Sequence, residues 1–588
     1  MPHQHMPPYD DEHDAWNPGL TSALPRALLP SVTLYRPGNA STRYKDAKEA
    51  ADFCGMKPQE LSALTARRLA MHEVLIRVTA DLYVSDGPAY EALGLNLRGM
   101  AGQILHTHIM PEMGAIEAEF AALRTRVEAA LAARLDCDVF TYTQPSHQPT
   151  GWWARRWGVK KKIPAQTEPP EFAALARWHA MRAQTNCPFE RACLKALHTI
   201  VSGILGQHGA LMADKALVIR LAANLVCNSY GSREIGALIT PIFLRAVQTE
   251  GYRLLPFQKE PFVMNVKGAS GAGKSTIRPL QRELAERMGI RWEDFALVSP
   301  DYWRKFLLDY GSMGKDYKYA AMLTGQELEI IDKKLDLYME EKARRAEMPH
   351  LLIDRFRFDS FTPSTTHPQE GRLLSRFGHT VFMFFIITPP TETVERAWKR
   401  GLATGRYKAV DDLLYHNIEA YTGMPQLFLS WVNRKPQKVH FEFLDNNVPY
   451  GSRPRTVAFG WNGEITVLDP ACMLRLTGYR HINVNATRAD DVYQKPTAPQ
   501  EDILIKFSEN IQNMRFVDPD TRQLSAAIKD GVCVYERDGF LAKNGLLGLT
   551  AVTPSDDSIA ATLSADLVAE QKYTVGAWSS AKSLNPAP

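Results

Sequence analysis

The chain has 588 residues, of which 45% are hydrophobic and 23% are charged, and its formal net charge is +4. This length is too great for one hydrophobic core, so we expect about two to four domains in a protein of ordinary soluble composition. The small net charge argues against a dedicated nucleic-acid binder, and the seven cysteines, none in a C-x-x-C pair, argue against a zinc site or a disulfide framework.

The N-terminal segment, residues 1–45, is rich in proline, histidine and small polar residues without a period, and it is predicted to be disordered. It lacks the apolar core and the cleavage site of a Sec signal peptide. The longest apolar run, residues 381–387, is far shorter than the roughly 20 residues that span a bilayer. We therefore expect no membrane partner, and we expect any export from the cell to use a route other than Sec.

Residues 46–250 have the pattern of an all-α domain. The clearest helix covers residues 111–136, where Pro111 begins the segment and apolar residues recur at spacings of three and four. A basic aromatic stretch at residues 151–171 has two interpretations. It either contacts single-stranded nucleic acid or a membrane surface, or it is a solvated loop whose tryptophans pack on a neighbour, and we favour the loop.

Residues 251–470 change to apolar strands separated by helices. Four near-continuous apolar runs are typical of parallel strands that are buried on both faces: residues 262–267, 295–301, 350–356 and 380–387. The block ends with a strand at 438–445 and a hairpin at 456–469, whose turn "WNGE" is a strong hairpin signal. The predicted fold class is therefore α/β, a three-layer sandwich of the P-loop kinase type with a parallel sheet. Residues 471–552 are predicted to form a small mixed appendage, and residues 553–588 a flexible tail.

A glycine-rich turn, "KGASGAGKST", follows the first predicted strand and precedes a helical pattern. Gly268, Gly273, Lys274 and Ser275 match G-x-x-x-x-G-K-[ST], the loop whose backbone N–H groups bind a polyphosphate. The strand and helix on either side favour ATP binding over a chance match in a linker. Lys274 is expected to contact the β and γ phosphates, and Ser275 to ligate Mg²⁺. The predicted ATP-binding residues are Gly268, Ala269, Ser270, Gly271, Ala272, Gly273, Lys274, Ser275 and Thr276.

Two aspartates end predicted strands, and ligands of open parallel sheets bind at that edge. Asp301, at the end of "LVSPD", is predicted to be the catalytic base that accepts a substrate hydroxyl proton; the alternative is a helix N-cap. Asp354, at the end of "LLID", is predicted to hold Mg²⁺ together with Ser275. The alternative for Asp354 is a salt bridge to Arg355 or Arg357. We assign no metal other than Mg²⁺.

A basic segment at residues 389–412 follows the fourth predicted strand. Its cations are Arg396, Lys399, Arg400 and Arg406. Phosphoryl transfer requires cations beside the migrating phosphoryl group, so we predict a lid that carries these cations, Arg400 and Arg406 among them, to the reacting phosphate as catalytic groups. The alternative is an exposed charged helix.

Residues 262–470 resemble the zeta-toxin group of P-loop kinases. Within that group, "SPDYWRK" (299–305) and "GLATGRYKAVDDLLYHNIEAYTGMP" (401–425) are most similar to the AvrRxo family of type III effectors of plant-pathogenic bacteria. The resemblance implies a secreted toxin that uses ATP and Mg²⁺ to phosphorylate the 3′-hydroxyl of the adenosine ribose of NAD. It also implies type III secretion, a cytoplasmic location before export and in the host, and a cognate antitoxin or chaperone partner.

One departure from the zeta-toxin pattern concerns the acceptor. Zeta toxins have a Glu-Gly-Thr element after the third strand, whereas this chain has "DRFRFDS", which contains Asp354, Arg355 and Arg357. We therefore predict that these three residues and Asp301 bind an acceptor bulkier than UDP-N-acetylglucosamine. Two alternatives remain: a UDP-N-acetylglucosamine 3′-kinase, and a nucleotide-gated module that binds a host protein.

Overall fold

The computed structural model describes residues 13–87, 91–141, 169–355, 374–494, 502–549 and 567–578. Arg357 and most of the basic aromatic stretch at residues 151–171 lie outside these ranges.

The chain divides into two compact units whose boundaries differ from the domain limits expected from the sequence. The helical unit consists of Arg26–Leu75 and Ala101–Glu250. The sheet unit consists of Met1–Pro25, Ile76–Met100 and Gly251–Pro588. The expected boundary near residue 250 is present, but two N-terminal stretches belong to the sheet unit.

The helical unit buries apolar residues from several of its helices. In the longest helix, Ile116, Leu123, Val127 and Leu131 are buried at the predicted spacing. Trp178 is fully buried in the same core and donates its indole N–H to Asp138 at 2.6 Å. The helices with residues in this unit are Tyr44–Cys54 (α1), Ala66–Asp81 (α2), Ala92–Gln103 (α3), Met113–Leu135 (α4), Pro170–Gln184 (α5), Pro188–His208 (α6), Lys215–Val226 (α7) and Ser232–Thr249 (α8).

The predicted disorder of residues 1–45 does not extend through the described part of that segment. Arg26–Ser31 and Thr33–Tyr35 form short 3-10 helices, and Val32, Leu34 and Tyr35 are buried. These apolar residues are few and have no helical period, so composition alone did not indicate their burial.

The sheet unit contains a ten-stranded mixed sheet in the order β10-β9-β8-β7-β6-β5-β4-β1-β3-β2. The strands are Phe262–Lys267 (β1), Phe295–Val298 (β2), His350–Asp354 (β3), Thr380–Ile387 (β4), Lys438–Asp445 (β5), Arg455–Trp461 (β6), Glu464–Val467 (β7), Asn513–Val517 (β8), Leu524–Lys529 (β9) and Val532–Glu536 (β10). The α/β class predicted from the sequence is confirmed.

The strands β2, β3, β1, β4 and β5 are parallel and form the centre of the functional region. Val263 on β1 is aligned with Leu351 on β3 and with Val381 on β4, and all three side chains are buried. Burial on both faces explains the near-continuous apolar sequence of these strands. Their carboxyl ends lie along one edge, as expected for parallel neighbours.

The other strands are mostly antiparallel. The predicted "WNGE" hairpin is confirmed by β6 and β7, which are joined at Asn462 and Gly463. Residues 513–536, expected in a small appendage, supply β8, β9 and β10 of the same sheet, because β8 pairs with β7. The strand Arg455–Trp461 also forms a bridge from Arg455 to Ala577, within the expected flexible tail.

Ten helices of the sheet unit follow residue 251 in the described ranges. They are Arg278–Arg287 (α9), Arg304–Leu307 (α10), Ala320–Leu323 (α11), Gly325–Arg344 (α12), Pro390–Thr404 (α13), Val410–Val432 (α14), Pro470–Tyr479 (α15), Ile503–Ser508 (α16), Phe540–Lys543 (α17) and Leu567–Glu570 (α18). None of the helices in the described part of the chain is long and apolar enough to span a membrane.

Candidate functional site

The turn between β1 and α9 has a backbone that only glycine fits at two positions. Gly271 and Gly273 have φ values of +85° and +92°. A Cβ atom on Gly271 would lie 2.5 Å from the carbonyl oxygen of Thr393, and one on Gly273 would lie 2.3 Å from Nδ2 of Asn446. Both the left-handed backbone and the close contacts therefore explain these glycines.

The turn is held by hydrogen bonds from the ends of the next two parallel strands. The carbonyl oxygen of Ala272 accepts from Oγ1 of Thr388 at 3.0 Å and from Nδ2 of Asn446 at 2.8 Å. Thr388 directly follows β4, and Asn446 directly follows β5. The shape of the turn is thus fixed by the sheet.

A 3-10 turn, Lys274–Ile277, connects the glycine turn to α9. The helix α9 begins at Arg278, so Pro279 occupies its first turn, where a missing backbone N–H costs little.

Two lysines stand at the start and end of the turn, Lys267 fully buried and Lys274 partly buried. The Lys274 ammonium donates to the carbonyl oxygens of Gly268 and Ala269 at 3.0 and 2.9 Å. The Lys267 ammonium donates to the carbonyl oxygen of Arg355 at 3.0 Å. Burial lowers the pKa of both lysines, although Asp354 opposes this effect at each of them.

The hydroxyl of Ser275 donates to the carboxylate of Asp354 at 3.0 Å. These two hard oxygen donors suit Mg²⁺, which commonly binds one or two protein oxygens and completes its shell with water and phosphate. No group of three or more His, Cys, Asp or Glu side chains that could hold a metal occurs in the described ranges.

Asp301 lies in a 3-10 turn, Pro300–Trp303, directly after β2. Its carboxylate forms ion pairs with Arg304 at 2.9 Å and Arg406 at 2.7 Å, and 49% of its side chain is exposed. Burial alone would raise the pKa of Asp301, but Arg406 and then Arg304 hold it well below the usual range. Asp301 is not the cap of α10, whose N-cap position is Trp303.

The basic segment that was predicted to be a lid, residues 389–412, forms α13, the loop that follows it and the start of α14. Gly405, with a φ of +72°, ends α13 and reverses the chain so that Arg406 reaches Asp301. Arg396, one turn before Arg400, donates to the carbonyl oxygen of Asn446 at 2.9 Å. The segment is thus attached to the end of β2 and to the loop after β5.

Arg355 has a different environment from the acceptor-binding position predicted for it. Its guanidinium forms ion pairs with Asp332 at 2.7 Å and Asp336 at 2.6 Å, and only 6% of the side chain is exposed. Both acids lie on α12, a contact that the local sequence around Arg355 does not encode. Arg355 therefore does not pair with Asp354.

A cavity of about 1080 Å³ joins these features. It is lined by Lys274, Ser275, Asp301, Asp354, Arg400 and Arg406, together with Ser270, Gly271, Gly273 and Thr276. Among the described residues with predicted roles, Gly268, Ala269, Ala272 and Arg355 do not line it. The structure therefore brings the predicted lysine, acids and lid arginines to one space.

The cavity is also lined by Lys408, Asp412 and His416, for which the sequence predicted no role. Lys408 and His416 both approach the carboxylate of Asp412, at 3.2 and 3.3 Å. Burial lowers the pKa of Lys408 to about 8, and burial followed by the charge of Lys408 lowers the pKa of His416. The spacing of four residues between Asp412 and His416 is the signal that could have identified this pair, since it places both on one face of α14, whereas Lys408 precedes that helix.

Comparison of the chain with protein-family models, curated proteins and solved structures found no match.

Proposed function

We propose that the chain is a Mg-ATP-dependent kinase that phosphorylates an alcohol group of a small molecule, on a sheet unit of the P-loop kinase type. One observation carries this proposal. A single cavity contains the glycine turn with Lys274, the Ser275–Asp354 pair, and the Asp301 carboxylate beside Arg406. Phosphoryl transfer to a hydroxyl needs a turn that binds the donor phosphates and a carboxylate that can accept the proton of the hydroxyl.

The glycine turn would bind the donor phosphates through its backbone N–H groups. The Lys274 ammonium, which contacts two carbonyl oxygens of the turn, would exchange them for the β and γ phosphate oxygens. Ser275 and Asp354 would hold Mg²⁺, which neutralises phosphate charge when bound. The hydrogen bonds to the carbonyl oxygen of Ala272 hold the glycine turn itself in place before the donor binds.

Asp301 is the base in this mechanism. Its carboxylate accepts the proton of the acceptor hydroxyl as that oxygen forms a bond to the γ-phosphorus and the bond to the ADP oxygen breaks. The low pKa of Asp301 keeps the carboxylate ionised, but the ion pairs that lower it also weaken it as a base, so proton transfer would require Arg406 to move from the carboxylate to the phosphate. Arg400 and Arg406 lie on the same cavity, where their charges would stabilise the migrating phosphoryl group.

The acceptor implied by the resemblance is NAD, with the 3′-hydroxyl of the adenosine ribose as the reacting group. A cavity of about 1080 Å³ is large enough for a nucleotide donor and part of a second nucleotide, since single-ligand pockets range from about 300 to 1,000 Å³. The effector role, delivery by type III secretion and an inhibitory partner stay predictions of the resemblance.

The test is an incubation of the full chain with Mg-ATP and either NAD or UDP-N-acetylglucosamine, followed by mass spectrometry of the acceptor. We expect NAD to gain one phosphoryl group. Asp301→Asn should reduce the rate by about 10²-fold to 10⁴-fold while ATP still binds. Asp316→Asn is the matched control, because Asp316 is an exposed aspartate outside the cavity.

Two results would contradict the proposal. One is ATP binding with no phosphoryl gain on either acceptor. The other is an Asp301→Asn variant as active as the Asp316→Asn control.

A further inference from the structure

Residues 13–25, here called the strap, belong to the sheet unit although the sequence predicted disorder for them. The strap has almost no regular secondary structure. Even so, Ala15 and Leu20 are only 7% and 8% exposed. Because the strap buries apolar side chains without regular secondary structure, it must pack against specific neighbours in the sheet unit.

The first attachment is to α13 and α14. Ala15 is buried in a cluster with Val394 and Ala397 of α13 and Leu413 of α14. Trp16 packs against the same cluster, and its indole N–H donates to the carboxylate of Glu395 at 3.0 Å. The start of the strap is thus fixed to the helix that carries Arg396 and Arg400.

The second attachment is beside Arg406. Leu20 is buried against Tyr317 and Tyr407. Tyr407 directly follows Arg406, and its ring lies so close to α13 that a Cβ atom on Gly401 would be 2.4 Å from it. Leu20 therefore packs against the residue that directly follows Arg406.

The third attachment reaches the cavity. The hydroxyl of Ser22 donates to the carboxylate of Asp411, in the first turn of α14, and Ser22 is among the cavity-lining residues. The strap therefore contacts α13, which precedes Arg406, Tyr407, which directly follows Arg406, and the first turn of α14.

We propose that the strap is a positioning element for the arginine segment, residues 396–409, and that Trp16 and Leu20 are its positioning residues. Loops that carry catalytic groups lose conformational freedom when they are ordered, and contacts made in advance reduce that loss. By covering Tyr407 and fixing α13, the strap orders the loop that carries Arg406. Its effect on turnover rests on the proposed kinase function, whereas its effect on local order does not.

The test measures amide hydrogen exchange in the full chain with Leu20→Ala. We expect amides in residues 396–409 to exchange about tenfold faster than in the wild type, because loss of the Leu20 side chain favours local opening. Amides of α9 should be unchanged. The matched control is Leu337→Ala, because Leu337 is a leucine of the same unit that is 58% exposed.

Kinetics supply the second readout. We expect kcat of Leu20→Ala to fall by about tenfold, because a slightly misplaced Arg406 is less effective. Leu20→Met should restore it, because the volume is conserved. Trp16→Phe keeps a ring but loses the hydrogen bond to Glu395, and it should raise exchange in the same segment by a smaller factor.

Unchanged exchange across residues 396–409 in both Leu20→Ala and Trp16→Phe would overturn the proposal. Faster exchange there, in a chain that phosphorylates neither acceptor, would support the strap and reject the kinase function. The two proposals therefore fail by different measurements.

Discussion

At the scale of single residues, the ion pair between Asp301 and Arg406 is the central feature of the cavity. Its carboxylate–guanidinium distance of 2.7 Å joins the proposed base to a proposed phosphate-binding cation. A bound γ-phosphate would compete with Asp301 for Arg406, and this competition would leave the carboxylate available to an acceptor hydroxyl. In the proposed mechanism, donor binding and activation of the base would therefore be coupled through one guanidinium.

The consequence for Arg406 can be tested with Arg406→Ala. We expect kcat to fall by about 10³-fold or more, since lid arginines stabilise the charge of the transferring phosphoryl group. Added guanidinium ion should restore part of the rate. The measurement is steady-state turnover with and without guanidinium.

The control for this prediction is Arg396→Ala. Arg396 donates to the carbonyl oxygen of Asn446, so its loss should loosen the loop after β5 and raise KM for ATP more than it lowers kcat. Equal losses of kcat in the two variants, with no rescue of either, would contradict a special role for Arg406.

At the scale of elements, the glycine turn depends on two strand ends that hold it. Gly271→Ala would place a Cβ atom 2.5 Å from the carbonyl oxygen of Thr393 at a φ of +85°. Both effects oppose the native turn. We expect ATP affinity, measured by calorimetry, to fall by about tenfold or more.

Gly478→Ala is the matched control for the turn. Gly478 lies in α15, and an added Cβ atom there would contact nothing within 4 Å. This variant should keep wild-type ATP affinity and gain a little stability, since alanine favours a helix. Normal ATP binding by Gly271→Ala would show that the turn does not hold the phosphates.

The C-terminal segment is attached to β5 by a buried acid. Glu442 accepts hydrogen bonds from the backbone N–H groups of Val575 and Gly576 at 2.9 and 3.0 Å. Burial raises the pKa of Glu442 from 4.5 to about 7, although these hydrogen bonds and the charge of Arg287 oppose the rise. The neighbouring His440 stays neutral, because burial lowers its pKa to about 3.

The raised pKa of Glu442 predicts that the free energy of unfolding falls as the pH rises. Between about pH 4.5 and 7 the folded state holds a proton that the unfolded state has released, so the wild type loses up to about 3 kcal/mol as pH rises. Glu442→Gln cannot ionise, and its melting temperature should rise relative to the wild type between pH 5 and pH 8. An equal offset at both pH values would contradict the prediction.

Elements with local signals were predictable from the sequence, and elements defined by distant contacts were not. The strand Phe262–Lys267 and the β6–β7 hairpin were located from apolar runs and turn residues. The run at 295–301 was expected to be one strand, but β2 ends at Val298 and a proline turn then carries Asp301. The pairing of β7 with β8 joins residues about 50 positions apart, and no short pattern encodes it.

At the scale of the whole molecule, the two units are not consecutive in sequence. The sheet unit takes Ile76–Met100 from the middle of the region predicted to be one helical domain. Both regions have helical patterns, so periodicity alone could not separate them. The same limitation applies to Arg355, whose partners on α12 are distant in sequence, whereas the glycine turn, Asp301 and Arg406 carried local motifs.

The discontinuous sheet unit predicts that residues near position 80 stabilise α12. Asp81 accepts hydrogen bonds from the hydroxyl of Tyr338 at 2.6 Å and from the ammonium of Lys342, whose side chain is 7% exposed. Asp81→Asn would leave a buried ammonium without its ion partner. We expect a loss of about 3 kcal/mol from the stability of the sheet unit, measured by chemical denaturation of the full chain.

A double substitution separates the loss of the ion pair from a general sensitivity of this region. Asp81→Leu combined with Lys342→Met removes both charges, and it should recover most of the stability, since apolar residues of similar volume can replace a buried pair. Glu329→Gln breaks the more exposed Lys333–Glu329 pair on the same helix and should cost less than about 1 kcal/mol. If Asp81→Asn costs no more than Glu329→Gln, then Ile76–Met100 does not stabilise the sheet unit through this pair. A large loss that the double substitution reverses would establish that a segment from the N-terminal half is required for the stability of the unit that contains the cavity.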